Sequence, residues 1–279
     1  MPRLFVFGLG YTASRLVGRL RARGWSAGGT TRTGEDGTVA FEDADRVHAE
    51  IAAATHVLSS VPPTDEGDPV LARYGCSLAG VSAWTGYLSS TGVYGDTGGA
   101  WVDESAPIGS GRRQARAKAD VAWSGLGAHI FRLPGIYGPG RSPLDRIMSG
   151  SAHRVDLPNQ LFSRIHVDDI VTGVMAGFDA PAGIYNLADD RPASQNAVID
   201  FAARLIGQEP PPFVTLDQLT PMARGFYAEN RRIANGKAKR VLGWAPAYPD
   251  YRAGLRALRA ITSPISVNAP PPTASGVQR

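Results

Sequence analysis

A strand, a glycine-rich turn, a helix and a second strand follow one another within the first 31 residues, and this order restricts the fold more than any other feature of the sequence. The apolar run Arg3–Phe7 predicts a strand that leads directly into the turn at residues 8–13. Apolar positions recur at helical spacing over residues 13–23, Gly24 ends the helix, and Ser26–Thr31 predicts the next strand. Because such a βαβ unit joins parallel strands, we expect a parallel sheet with helices on both faces.

The alternation of strands and helices continues to about residue 135. Further strands are predicted at 38–41, 56–60, 84–89 and 129–133, with helices at 44–53, 69–77 and 112–125, and then a helix at 167–178, a strand at 183–187 and a helix at 194–206. We therefore predict an α/β fold: a Rossmann-type doubly wound parallel sheet formed by residues 1–139 and 183–189. Residues 140–182 and 190–262 are predicted to form a small C-terminal α+β substrate lobe, and the Pro-rich residues 263–279 a disordered tail.

The turn has the spacing Gly8-x-Gly10-x-x-Ala13, which is typical of a dinucleotide site when it joins a strand to a helix. Gly8 permits the tight turn, Gly10 lets the backbone approach a pyrophosphate, and Ala13 is small enough for close packing of helix on strand. Backbone N–H groups at Tyr11 and Thr12 would face the phosphates at the positive end of the helix. These five residues are the first part of the predicted cofactor site.

The end of the second strand predicts which dinucleotide is bound. An NAD site usually has Asp or Glu there, whereas this chain has Thr31 and Arg32. An arginine can pair with a 2′-phosphate, so the sequence predicts NADP, with NAD as the less favoured cofactor. Ser60 and Val61, where the fourth strand ends, are predicted to contact the same cofactor.

Composition and charge restrict the partners and the location. The net charge is +4, but no block of five like charges occurs, so we expect no nucleic acid partner. No stretch approaches the roughly 20 apolar residues of a membrane helix, and the single Cys76 fits a reducing compartment. The five histidines lack metal-ligand spacing, so no metal is predicted. We expect a cytoplasmic monomer or homodimer that acts on a small molecule, with an anion among the candidates.

Six short motifs along the chain, spanning about residues 3–260, resemble the extended short-chain dehydrogenase/reductase superfamily, the NAD-dependent epimerase/dehydratase group, in an atypical branch. The motifs occur in the family's order at residues 8–13, 89–95, 131–140, 164–170, 184–188 and 242–244. The resemblance implies that Pro134, Gly135 and Ile136 pack on the nicotinamide. It also implies that Ser90 hydrogen-bonds the substrate oxygen, with Thr91 as its neighbour and alternative.

The usual Tyr-x-x-x-Lys pair of that family is missing from the helix that follows Ser90. One alignment places Arg112 and Arg116 at its two positions, and a shift of two residues places Gln114 and Lys118 there. Neither alignment supplies a phenol, and an arginine stays protonated at neutral pH, so it cannot exchange the proton. The predicted catalytic residues are therefore Ser90, Thr91, Tyr94, Arg112 and Arg116.

Three explanations of the missing acid remain open. Tyr94, Tyr137 or Lys118 supplies the proton from another element, or arginines orient a charged substrate while water delivers the proton. In the third explanation the protein binds NADP without turnover, as a sensor resembling the NmrA-type regulators. The retained Ser90 and the nicotinamide loop favour an oxidoreductase or epimerase that acts on a small or sugar-like carbonyl or hydroxyl compound.

Further residues in or next to these motifs have predicted roles. The segment at 166–169 predicts an aspartate N-cap for the following helix, with His166 as a buried, hydrogen-bonded histidine. Asn186 is predicted to hold the returning strand. Arg141 is predicted to bind a carboxylate or phosphate of the substrate.

Overall fold

The computed structural model describes residues 1–111 and 114–262, and its centre is a sheet of seven parallel strands. The strands, labelled in chain order, are β1 (Arg3–Phe7), β2 (Ser26–Thr31), β3 (Val39–Ala40), β4 (His56–Ser59), β5 (Trp84–Ser90), β6 (His129–Leu133) and β7 (Ile184–Asn186). Their order across the sheet is β7-β6-β5-β4-β1-β2-β3, and every neighbouring pair is parallel. The predicted Rossmann-type α/β fold is confirmed.

Helices cover both faces of this sheet and build the C-terminal part. Those in the described residues are α1 (Tyr11–Arg21), α2 (Ala44–Ala53), α3 (Pro69–Ala79), α4 (Gln114–Gly125), α5 (Pro143–Met148), α6 (Val167–Ala176), α7 (Gln195–Leu205), α8 (Pro221–Tyr227), α9 (Gly236–Leu242) and α10 (Tyr251–Thr262). None of them within residues 1–111 and 114–262 combines the length and apolar character that a membrane crossing requires.

The sheet divides the hydrophobic core into two parts, one on each face, and the side chains of β1 alternate between them. Leu4 and Val6 pack on one face with residues of α1 and α6. Phe5 and Phe7 pack on the other face with residues of α2, α3 and α4. Because successive side chains of a strand point to opposite faces, an entirely apolar strand is what a sheet covered on both sides requires.

The C-terminal helices α5, α7 and α10 have a core of their own. Leu144 and Ile147 of α5 pack there with Val198 of α7 and Leu255 of α10. The helix α6, which the sequence analysis assigns to the lobe, packs instead on the sheet beside α1. The division into a Rossmann domain and a lobe stays a prediction, and α5, α8, α9 and α10 were not predicted.

Several predicted bounds differ from the observed ones. The first helix begins at Tyr11 rather than Ala13, and the third strand shortens to Val39–Ala40. Gly10 has an extended backbone and Ser14 donates to its carbonyl oxygen, so the helix begins immediately after Gly10. Positions 112–113 and the predicted tail at 263–279 lie outside the described residues.

The predicted aspartate N-cap of α6 is wrong. The N-cap is His166, whose Nδ1 accepts the backbone N–H of Asp168 at 3.2 Å. Asp169 accepts instead from the backbone N–H groups of Ala247 and Tyr248, at 2.7 and 3.1 Å. The short strand at Arg164–His166 runs directly into α6, which puts the histidine at the cap and frees Asp169 to hold the chain before α10.

Candidate functional site

A cavity of about 1300 Å³ opens at the carboxyl ends of the central strands. Its lining includes Gly10 after β1, Ser60 after β4, Ser90 at the end of β5 and Gly135 after β6. The chain runs from β1 towards β3 on one side and from β4 towards β7 on the other. The cavity therefore lies at the point where the strand order reverses, which is where doubly wound folds bind their ligands.

The two glycines of the turn at residues 8–13 have different roles. Gly8 has φ +82°, and a Cβ there would lie 2.9 Å from Cγ2 of Val61. Ser60 also fixes this turn, because its hydroxyl donates to the carbonyl oxygen of Gly8. A Cβ at Gly10, in contrast, would meet no atom within 4 Å. Gly10 thus leaves open space at the start of α1, where no side chain caps the helix, and this space suits a phosphate group.

Valine at Gly10 is expected to block cofactor binding without unfolding the protein. The extended backbone of Gly10, with φ −90°, accepts a side chain that would enter the cavity. We expect Gly10→Val to raise the Kd for NADPH at least about 10-fold, which requires only ~1.4 kcal/mol. Gly8→Ala should instead lower the thermal unfolding midpoint, because its positive φ strains any side chain. Fluorescence titration and thermal unfolding of both variants check this; unchanged NADPH affinity in Gly10→Val would contradict it.

Thr31 and Arg32, which the sequence predicts to contact the adenosine half of the cofactor, lie at the end of β2 and outside the cavity lining. Thr31 Oγ1 lies 2.8 Å from Oγ1 of Thr38 and accepts the backbone N–H of Gly34 at 3.0 Å. Its hydroxyl therefore shapes the turn that carries Arg32. The side chain of Arg32 is exposed, and its contact with a 2′-phosphate stays a prediction.

Of the two hydroxyl candidates, Ser90 is the better placed. Ser90 is half-buried, lines the cavity, and accepts the backbone N–H of Gly92 at 3.1 Å through Oγ. This bond uses a lone pair and leaves the hydroxyl proton for a substrate oxygen. Thr91 also lines the cavity but is buried, and its hydroxyl is directed at the carbonyl oxygen of Leu133, 3.5 Å away.

Tyr94 belongs to a buried network rather than to the cavity lining. Its hydroxyl donates to Oδ1 of Asn186 at 2.8 Å and accepts from Nη1 of Arg132 at 3.0 Å. Arg132 forms two further bonds to Asp120, at 2.7 and 3.1 Å, and Asp120 also accepts from Ser89. Asn186 holds β7 in place, as predicted. The placement of Tyr94 favours a structural role over the catalytic role suggested by the sequence.

The orientation of α4 separates the two alignments that the sequence allows for the Tyr-x-x-x-Lys positions. Arg116 lines the cavity, and its Nη1 donates to the hydroxyl of Tyr87 at 3.3 Å. Gln114 and Lys118 are exposed and are not part of the lining. The structure therefore favours the alignment with Arg116, whose partner position, Arg112, lies outside the described residues.

Tyr137 is an unsuitable proton donor although its ring borders the cavity. Its hydroxyl is buried against α10, where a Cβ at Gly254 would lie 2.1 Å from it. Burial, together with the nearby carboxyl groups of Asp189 and Asp169, raises the pKa of Tyr137 far above that of a free phenol. A phenol of this kind holds its proton at neutral pH.

Residues between 140 and 255 that the sequence analysis assigns to the lobe contribute more than half of the lining, and nearly all of them were not predicted. The missed residues include Arg146, His153, Phe226 and Tyr227. Phe226 and Tyr227 are neighbours at the end of α8, but Arg146 lies on α5 and His153 in the segment between α5 and α6, so no single local motif could have grouped the four. Phe226 is 51% exposed in the described chain and adds an apolar side chain to the lining.

The cavity carries an excess of positive charge. Of its carboxylates, Asp145 is bound to Ser142 at the start of α5, and Glu229 pairs with Arg231 at 2.7 Å. Arg116, Arg141 and Arg146 also line the cavity, and within residues 1–111 and 114–262 none of them forms an ion pair. These guanidinium groups favour anionic ligands.

Arg164 has a structural position in the cavity floor. Its guanidinium donates to the carbonyl oxygens of Phe162 and Ala193 and to Oε1 of Gln195, all at 2.8–2.9 Å. Burial lowers its pKa to about 10. In the described part of the chain, no group of three or more His, Cys, Asp or Glu residues is arranged to hold a metal ion.

Comparison with known proteins finds a relative of high similarity among solved structures. The chain is 40% identical to a conserved protein of unknown function from Silicibacter pomeroyi DSS; the match covers 94% of this chain and 99% of that chain, with a TM-score of 0.83. It is 29% identical over 286 residues to the protein YeeZ of Escherichia coli K12, covering 90% and 97% of the two chains. No protein-family model matches.

Other similarities are partial or concern the fold. A Streptomyces 3-diazoavenalumate denitrifying reductase is 29% identical over 176 residues, 55% of this chain and 58% of that protein. The structure of MoeE5 with UDP-glucuronic acid and NAD has a TM-score of 0.76 at 19% identity, covering 93% and 98% of the chains. The human epimerase family protein SDR39U1 with NADPH has a TM-score of 0.72 at 15% identity, covering 92% and 99%. Both share the Rossmann-type fold.

Proposed function

Because the chain belongs to the same family as the Silicibacter pomeroyi protein, whose function is unknown, we propose its function from the site itself. We propose an NADP-binding oxidoreductase or epimerase that acts on a small anionic carbonyl or hydroxyl compound. The observation that carries the proposal is that a single cavity joins Gly10, Ser90 and the loop at 134–136 to the arginines of the lobe. Similarity to a Streptomyces reductase supports reduction as one of the reactions considered.

A nicotinamide cofactor would supply hydride transfer in this cavity. Gly10 and the N-terminus of α1 would hold its phosphates, and Pro134, Gly135 and Ile136 line the same space. Ser90 would donate a hydrogen bond from its hydroxyl to the substrate oxygen while its Oγ accepts the N–H of Gly92. That donor stabilises negative charge on the oxygen as it develops.

The proton itself is proposed to come from water. Tyr94 and Lys118 do not line the cavity, and the hydroxyl of Tyr137 is buried against Gly254 of α10. Arg116 stays charged at neutral pH, so its role is to orient an anionic group near Ser90. The geometry therefore supports the explanation in which arginines orient a charged substrate and water completes the proton transfer.

The preference for NADP is proposed from Arg32. Fold relatives have been crystallised with NAD and with NADPH, so a likeness in fold does not decide between them. The sequence has no acidic residue directly after β2, where an NAD site would use one for the ribose hydroxyls. Arg32 is exposed in that position and is available to a 2′-phosphate.

Replacing Arg32 is expected to weaken NADPH binding selectively. A charge-assisted hydrogen bond contributes roughly 1.5–3 kcal/mol, so Arg32→Ala should raise the Kd for NADPH at least about 10-fold. The Kd for NADH should change less than about 2-fold, because NADH lacks the 2′-phosphate and a twofold change is below 1 kcal/mol. Fluorescence titration of wild type and variant with both cofactors measures this. Equal weak binding of both cofactors by the wild type would refute the NADP assignment.

A further inference from the structure

We infer that Arg141 binds the pyrophosphate of the dinucleotide rather than the substrate. The inference rests on the proposed function and assigns a further residue to its cofactor site. It changes the prediction made from the sequence, in which Arg141 follows the nicotinamide loop into the substrate part of the cleft.

Arg141 lies on a turn that is fixed to the start of α1. Gly138 and Arg141 exchange two backbone hydrogen bonds, at 3.2 and 3.0 Å, which close the turn. The hydroxyl of Tyr11, the first residue of α1, donates to the carbonyl oxygen of Pro139 at 3.0 Å. A Cβ at Gly138 would lie 2.5 Å from that hydroxyl and 2.6 Å from Cγ1 of Val167. The turn is therefore packed between α1 and α6 with no space to move closer.

The guanidinium of Arg141 lies beside the same tyrosine. Its central carbon is 5.7 Å from the ring centroid of Tyr11. Arg15 is at a similar distance, 5.8 Å, but forms an ion pair with Asp168 at 2.9 Å. Arg141 is exposed, lines the cavity, and has no carboxylate partner within residues 1–111 and 114–262. Of the two arginines around Tyr11, Arg141 is thus the one with an uncompensated charge.

The position of Tyr11 shows that the Arg141 guanidinium lies near the start of α1. Tyr11 directly follows Gly10, where the space for a side chain is empty and the helix has no side-chain cap. Backbone N–H groups at the start of α1 and the Arg141 guanidinium would thus attract the same anion. An arginine forms paired hydrogen bonds to phosphate oxygens, so a pyrophosphate matches this combination.

The test is a set of titrations with NADPH, NADH and ADP-ribose, which share the pyrophosphate. We expect Arg141→Ala to raise the Kd of all three by the same factor, about 10-fold, because the lost bond is charge-assisted. Arg141→Lys should recover part of the affinity, since lysine keeps the charge but not the paired geometry. ADP-ribose lacks nicotinamide, so its response separates a phosphate contact from a contact near the reacting carbon.

The control is Arg19→Ala, which removes an exposed arginine from the last turn of the same helix. It should leave all three Kd values unchanged. Unchanged Kd values in Arg141→Ala, with normal binding by the wild type, would overturn this inference alone. A wild type that binds none of the three ligands would overturn the proposed function as well. Thermal unfolding of each variant confirms that the fold is retained.

Discussion

Alanine at Ser90 is expected to lower turnover by about 10²–10³-fold, the cost of removing one hydrogen-bond donor to a developing oxyanion. Its Oγ already accepts from Gly92, so the hydroxyl proton is left for a substrate oxygen in the cavity. The side chain is half-buried, so its removal leaves the core intact. The Kd for NADPH should therefore stay unchanged while kcat falls. NADPH oxidation measured over a panel of anionic carbonyl compounds and sugar nucleotides gives the comparison.

The matched variant for this experiment is Thr91→Val, which removes the neighbouring hydroxyl and keeps the shape. The Thr91 hydroxyl is directed at the carbonyl oxygen of Leu133, so we expect a smaller loss than in Ser90→Ala. A larger loss in Thr91→Val would transfer the role to Thr91. Turnover that survives Ser90→Ala would exclude a catalytic role for Ser90. If the wild type binds NADPH and oxidises it with no compound of the panel, the NmrA-type sensor becomes the better explanation.

The parts of the fold that could be predicted from the sequence are those specified by neighbouring residues. The wholly apolar β1 and the helical spacing after Gly10 need no distant contact to be recognised, and they imply the parallel sheet. The helices α8, α9 and α10 were not predicted from the sequence. α10 packs Leu255 and Leu258 with Val198 of α7, a contact between residues more than 50 positions apart.

In the candidate site, too, local motifs could be predicted from the sequence, whereas roles that depend on distant contacts could not. Gly8, Gly10 and the loop at 134–136 belong to contiguous motifs, and Gly10 and the loop line the cavity. The role of Tyr94 depends on its distance from Arg132 and Asn186, which are 38 and 92 positions away, and no spacing in the sequence contains that information. The alignment of α4 was likewise undecided until the helix face was known. Asp120 and Arg116, one turn apart, lie on its inner side, whereas Lys118 is exposed.

Breaking the buried pair of Arg132 and Asp120 is expected to be the most damaging single change to stability. The two side chains are 2% and 1% exposed, and their closest atoms are 2.7 Å apart. Asp120→Ala would leave a buried guanidinium without its carboxylate, a loss that typically costs about 3–5 kcal/mol. It would also remove the acceptor of Ser89. Urea unfolding should show the transition midpoint shifting at an unchanged slope.

The control variant is Glu42→Ala, which breaks an exposed ion pair of the same length. Comparing the two variants separates the effect of burial on stability from the effect of losing an ion pair. Arg73 and Glu42 are also 2.7 Å apart, but their side chains are 41% and 70% exposed. Solvent screens such pairs, so the expected loss is below about 1 kcal/mol. If both variants lost equally little, the network around Arg132 would not be what joins β5, α4 and β6. A large loss for Asp120→Ala alone would show that the buried network, in which the same carboxylate also accepts from Ser89, joins these three elements.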